Sequence, residues 1–268
     1  MRLLSSASAN SKTRKSQDGR PEYRLVSLML SPDKSAVGYP TNCPNSVPSC
    51  VDACVGGEHV GLGSIFRSIA EARQQKTAFL RTDRAAFLRQ LKSEIQREQD
   101  IADKDGTTLA VRLNCFSDLP WEMPSFGSIP QQFPHASFYD YTKVYSRVGN
   151  TAPNYHLTAS WTELPKHQED CEGLIERGHN VAVIFGAPGA GYTGPRAYNQ
   201  PLPKTFAIGG KRRIVFDGDS QDMRFLDWQA GKDNGAKIGR VCGLRLKSAN
   251  NAMHQRAIAN GFAVSVER

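Results

Sequence analysis

The chain has 268 residues, 39% hydrophobic and 22% charged, a balance that excludes a disordered or low-complexity polymer and allows one large domain or two small ones. Lys and Arg number 34 against 26 Asp and Glu, a net charge of +8, which permits an anionic partner such as nucleic acid without naming one. The longest apolar runs, such as Val181–Phe185, fall far short of the ~18–20 residues that span a bilayer, so no transmembrane helix and no membrane partner are expected.

Residues 1–20 are basic, with Arg2, Lys12, Arg14, Lys15 and Arg20. No apolar stretch of the ~7–15 residues of a secretory signal follows Leu3-Leu4. The expectation is a disordered basic tail on a cytoplasmic protein; an arm laid on nucleic acid and a transit peptide are the alternatives. A strand is expected at Tyr23–Leu30, then a loop rich in Pro, Gly, Asn and Cys from Pro32 to about Gly61. Helical spacing follows in Ser64–Gln75 and in Arg84–Gln99, the second capped by Thr82 or Asp83 and carrying Phe87, Leu88, Leu91 and Ile95 on one face. Their other faces hold Arg67, Arg73, Lys76, Arg84, Arg89, Lys92 and Arg97, read as solvated surface or as a nucleic-acid surface.

After Asp105-Gly106 short strands recur at Leu109–Asn114, Phe138–Lys143, Tyr155–Trp161, Val181–Phe185, Thr205–Ile208, Arg213–Asp217 and Gly239–Leu246, with a helix at His167–Arg177. The pair joined through Gly209-Gly210-Lys211 reads as a hairpin. The remainder reads as a mostly parallel α/β fold, an incomplete or irregular β/α barrel in a single domain over residues 21–268.

Polar residues concentrate where these strands end. Asn114, Ser117 and Asp118 follow one strand, Thr142 and Lys143 close another, Thr158, Ser160 and Glu163 a third, and Asp217, Asp219 and Asp222 a fourth. In parallel α/β folds ligands bind at the carboxyl ends of the strands. Asn114, Asp118, Lys143 and Asp217 are therefore candidate catalytic residues, and Ser117 and Thr158 candidate cofactor contacts.

Six cysteines stand at 43, 50, 54, 115, 171 and 242. Without a secretory signal they are expected as reduced thiols. Cys115, Cys171 and Cys242 are scattered and read as small buried hydrophobes. Cys43, Cys50 and Cys54 form C-x6-C-x3-C in one loop after the first strand. Three thiolates so close in sequence suit an iron–sulfur cluster or zinc. His59 would complete a Cys3His zinc site, a structural module compatible with nucleic-acid binding, and Cys242 is a remote fourth candidate for either metal.

Asn42-Cys43-Pro44, Ser49-Cys50 and Ala53-Cys54, with Arg112-Leu113-Asn114, Ser117–Glu122, Phe138–Lys143 and Tyr155–Thr158, resemble phage- and plasmid-borne proteins described as radical-SAM-like or as phage proteins of unknown function. The resemblance covers roughly residues 25–250. It implies a [4Fe–4S] cluster on Cys43, Cys50 and Cys54, a cytoplasmic location in the host, and S-adenosylmethionine as a second cofactor. The spacing departs from the usual C-x3-C-x2-C, and Gly56-Gly57-Glu58 lies beside the cysteines instead of on the next strand. Gly56 and Gly57, with Gly189 and Gly191 of the Gly186–Gly194 loop, are the backbone positions open to a cofactor. Asp217, Asp219 and Asp222 also permit a magnesium-dependent nuclease, or an Asp-rich turn before Met223–Trp228.

Overall fold

The computed structural model describes residues 1–9, 11–32, 41–56, 67–189, 192–230, 232–233, 236–237 and 239–266. In chain order they form β1 (Leu4–Ser6), α1 (Ser11–Asp18), β2 (Tyr23–Leu28), α2 (Pro48–Asp52), α3 (Arg67–Thr82), α4 (Arg84–Asp105), β3 (Thr108–Arg112), α5 (Ile129–Gln132), β4 (Ser137–Thr142), β5 (Tyr155–Ser160), α6 (Pro165–Glu176), β6 (Val181–Gly186), β7 (Thr205–Ile208), β8 (Lys211–Asp217), β9 (Lys232–Asp233), β10 (Ala236–Lys237), β11 (Val241–Arg245), α7 (Asn251–Ala259) and β12 (Val264–Ser265). Five strands run parallel from β2 to β6 and continue parallel through β11 to β8. β12 adds a short parallel pairing to the end of β6.

The sheet is open: the expected mostly parallel α/β arrangement is present, and it does not close into a barrel. Its two edges are β1 and β7, each antiparallel to its neighbour. Closure needs the two edges to pair with each other; here each is terminated by a short reversed strand instead. The turn between β7 and β8 places Gly209 and Gly210 at φ of 60° and 70°. Two positive φ values suit a two-residue hairpin whose twist matches the strands, and they favour glycine at both positions.

Alternation along each strand divides the core. Val26, Leu28, Leu109, Val111 and Phe138 face α4, which buries Phe87, Leu91 and Ile95 against them. Val181, Val183, Phe185 and Val241 receive Cys171, Leu174 and Ile175 of α6. On the opposite face Leu25, Ala110 and Tyr139 pack on Met223, Phe225 and Leu226. Asp83 caps α4 by accepting from the Ala86 N–H at 2.9 Å, and Gly106 ends it in the left-handed region at φ 67°.

The amino-terminal segment is ordered where a disordered tail was expected. Leu3 and Leu4 are buried with α4 in the main core. A Glu94 carboxylate oxygen accepts from the Leu3 N–H at 2.9 Å, and the other accepts from Leu4 at 2.8 Å. The Lys76 ammonium donates to the Leu3 carbonyl at 2.8 Å. The charges of residues 1–20 predicted solvation, but two leucines and three charge-assisted bonds outweigh them. Ser16 of α1 then accepts from the Asp222 N–H at 2.7 Å, tying α1 to the segment that follows β8.

Glu94→Ala leaves the buried N–H groups of Leu3 and Leu4 without their acceptor. It is expected to lower unfolding stability by about 2–3 kcal/mol in urea titrations. An unchanged midpoint and slope would show that the amino-terminal clamp contributes nothing.

Candidate functional site

The loop leaving β3 is wound around one buried amide. The Asn114 side-chain oxygen accepts from Ser117 Oγ at 2.7 Å, the Leu119 N–H at 3.0 Å and Trp121 Nε1 at 3.0 Å. Its NH2 donates to the Leu119 carbonyl at 2.9 Å and to the Tyr155 hydroxyl at 3.3 Å. The Asn114 N–H donates to Asp140 at 2.7 Å, and Tyr155 donates to the other Asp140 oxygen at 2.9 Å. Asp140 is wholly enclosed, and burial pushes its carboxyl up to about 7 against the opposing pull of Arg112, these two hydrogen bonds and Arg147.

Asp118 repeats the device one loop further. Its carboxylate accepts from Thr142 Oγ1 at 3.1 Å, the Lys143 N–H at 2.8 Å and Arg147 Nη1 at 2.7 Å. Arg147 also makes a two-pronged pair with Glu122 at 2.7 and 2.9 Å. Asn114, Ser117 and Asp118 thus have their polar atoms engaged in shaping the loops that end β3 and β4, and Lys143 is held at its backbone.

The cysteine loop is fastened onto this frame. The Asp118 N–H donates to the Asn42 carbonyl at 2.8 Å, and Asn45 donates to the Lys143 carbonyl at 2.9 Å. Cys43 Sγ donates to the Phe116 carbonyl at 3.5 Å. Burial opposes the charge of the Lys143 ammonium, yet Cys50, Asp118 and Cys43 hold its pKa above the usual value. Arg73 lies 4.4 Å above the Phe116 ring and donates to the Gly56 carbonyl at 2.9 Å. Burial lowers its pKa, while Cys54 and Cys115 act to raise it. Gly56 packs on the Phe116 ring so closely that a Cβ would collide with it. Cys43, Cys50 and Cys54 are all partly exposed. Desolvation pushes Cys115 up to about 11 in spite of Arg112.

Among the described residues no group of three or more His, Cys, Asp or Glu side chains is placed to hold a metal ion. His59, Gly57 and Gly191 lie outside the described residues.

Other candidates are placed elsewhere. Asp217 accepts from Arg245 Nη1 at 2.8 Å, and Asp219 from Lys247 Nζ at 2.7 Å and the Arg245 N–H at 2.9 Å. Asp222 turns beneath the sheet, accepting from Arg112 at 2.9 Å and Tyr139 at 3.1 Å. Asp217 and Asp219 share Arg245, while Asp222 points away to Arg112 and Tyr139. Thr158 is buried in β5. Gly189 has φ 113° and its carbonyl accepts from Gln255 at 3.0 Å. Cys171 is core, and Cys242 is buried against Arg224. Of the basic residues assigned to outer helix faces, Arg73 and Lys76 are buried. Helical spacing alone could not separate them from Arg67, which is exposed and paired with Glu71. Arg147 and Asp140 carried no motif; their role follows from contacts between strands and loops distant in sequence.

The family model described as gene product 88 matches residues 2–253. No curated protein and no solved structure matches the chain.

The Asp140 carboxyl titrates higher folded than unfolded, so it binds its proton more tightly in the native state. Its contribution to stability is full below about pH 4, falls as pH rises and is gone above about pH 7. Asp140→Asn removes that slope. Urea midpoints at pH 5 and 8 are expected to show the wild type losing stability relative to the variant at the higher pH; a pH-independent difference would contradict the burial argument.

Proposed function

The chain belongs to the gene product 88 family, a phage-type family, and on that premise we propose that it is an iron–sulfur protein whose [4Fe–4S] cluster is held by Cys43, Cys50 and Cys54. One observation carries the reading: the loop bearing the C-x6-C-x3-C thiols is fastened through the Asn42 carbonyl and the Asn45 side chain onto the loops that end β3 and β4. Thiolates are the ligands such clusters require.

When bound, the cluster would supply one-electron transfer. The chain's own part is positional. Asp118 fixes the Lys143 backbone, Asn114 fixes the loop that carries Phe116, and Asn45 anchors the cysteine loop to both. Lys143 and Arg73 would balance the negative charge of the ligated sulfurs and raise the reduction potential. The reading does not include S-adenosylmethionine, since its glycine positions are partly outside the described residues and the carbonyl of Gly189 is already engaged.

Protein purified without oxygen is expected to be brown and to contain iron and acid-labile sulfide in equal amounts. Cys43→Ala, Cys50→Ala and Cys54→Ala should each lose most of both. Colourless, iron-free wild type, or zinc in place of iron, ends the proposal. Lys143→Gln should keep the iron but shift the midpoint potential downward in a redox titration, because a positive charge beside the added electron is gone.

A further inference from the structure

The register of the β7–β8 hairpin fixes which backbone groups face outward at that edge of the sheet. The Val215 N–H donates to the Lys204 carbonyl at 3.0 Å. Thr205, Phe206, Ala207 and Ile208 then stand opposite Ile214, Arg213, Arg212 and Lys211. Hydrogen-bonded pairs alternate with non-bonded pairs along an antiparallel ladder. Phe206 and Ile208 therefore direct their N–H and C=O groups to β8, and those of Thr205 and Ala207 point away from it. Among the described residues no further strand pairs with β7.

The side chains divide in the same way. Phe206 and Ile208 pack into the core with α6, and Lys211 and Arg213 both pair with Glu176 of that helix. The opposite face of the hairpin carries Ala207, Arg212 and Ile214, all exposed, with Ile214 as much as 51% open to water. No acidic residue occurs between Gln200 and Asp217. Arg212 donates to Thr205 Oγ1 at 3.0 Å. Neither Arg212 nor the exposed Lys204 forms an ion pair among the described residues.

We propose that the outer edge of β7 receives an extended segment of an acidic protein partner, added to the sheet as a further strand. The N–H and C=O groups of Thr205 and Ala207 supply the pairing. Ile214 supplies apolar contact, and carboxylates of the segment meet Lys204 and Arg212. Ala207 is small, so the long Arg212 side chain can reach across it toward the added strand. Pro203 has no N–H to offer and Gly209-Gly210 turn the chain, which confines the pairing to Lys204–Ile208. A second copy of this chain fits less well, because two β7 edges would set the same cations against each other.

The test uses the full chain and a fluorescein-labelled peptide of alternating Glu and Val. Saturable anisotropy is expected, with amide NMR shifts confined to the hairpin, and the same peptide with Lys in place of Glu should not bind. Ala207→Pro removes an outward N–H while leaving the ladder to β8 intact, so it should keep the hairpin and lower affinity about tenfold or more. Arg212→Glu should weaken the acidic peptide and admit the basic one. No saturation of the wild type up to about 1 mM, equal binding of the Lys peptide, or unchanged affinity in a folded Ala207→Pro overturns the proposal. Self-association abolished by Ala207→Pro, or tighter binding of a single-stranded oligonucleotide at the same amides, assigns the edge to another occupant and overturns it too. Should Ala207→Pro lose the hairpin, Arg212→Glu decides: an unaltered preference for the acidic peptide refutes the docking.

Discussion

The bond from the Asn114 N–H to the Asp140 carboxylate, 2.7 Å long and sealed from water, governs the end of the sheet to which the cysteine loop is fastened. Asp140 belongs to β4 and Asn114 follows β3, so the contact locks two neighbouring strand ends. From there the Asn114 side chain sets the path of Ser117, Leu119 and Trp121. That path decides where Phe116 presents its carbonyl and its ring. Asp118, carried on the same turn, fixes Lys143 and recruits Arg147. A saturated polar knot of this kind is rigid because each member would lose several buried bonds by moving.

The knot explains why the cysteine loop needs little regular structure of its own. α2 spans only Pro48–Asp52. The loop is instead hung from outside, through the Asn42 carbonyl and the Asn45 side chain, onto loops that are already rigid. Buried Arg73 joins the same frame through the Gly56 carbonyl and the Phe116 ring.

The opposite edge of the sheet is governed by a different balance. β1 is three residues long, yet it closes the β2 edge because Glu94 and Lys76 satisfy the backbone of Leu3 and Leu4. A short strand covering an edge also limits further pairing with other chains. α1 then crosses toward the segment after β8, where Asp222 binds both Ser16 and Arg112. These contacts draw the two ends of the strand order together without pairing them.

Periodicity and punctuation in the sequence determined the strands from Tyr23 onward, the α4 cap at Asp83, the hairpin at Gly209-Gly210 and the collection of polar residues at strand ends. These are local properties: alternation, capping and turn chemistry act over a few residues, so a linear reading finds them. The open sheet, the ordered amino terminus, the inward turn of Arg73 and Lys76 and the arrival of Phe116 against Cys43 and Gly56 were decided only by tertiary structure. The place of Phe116 depends on the parallel pairing of β2 with β3 and on the turn that Asn114 imposes, and neither leaves a signature within a short window of residues. Charge on a helix likewise specifies a cation but not its direction, because burial is settled by what packs against that face.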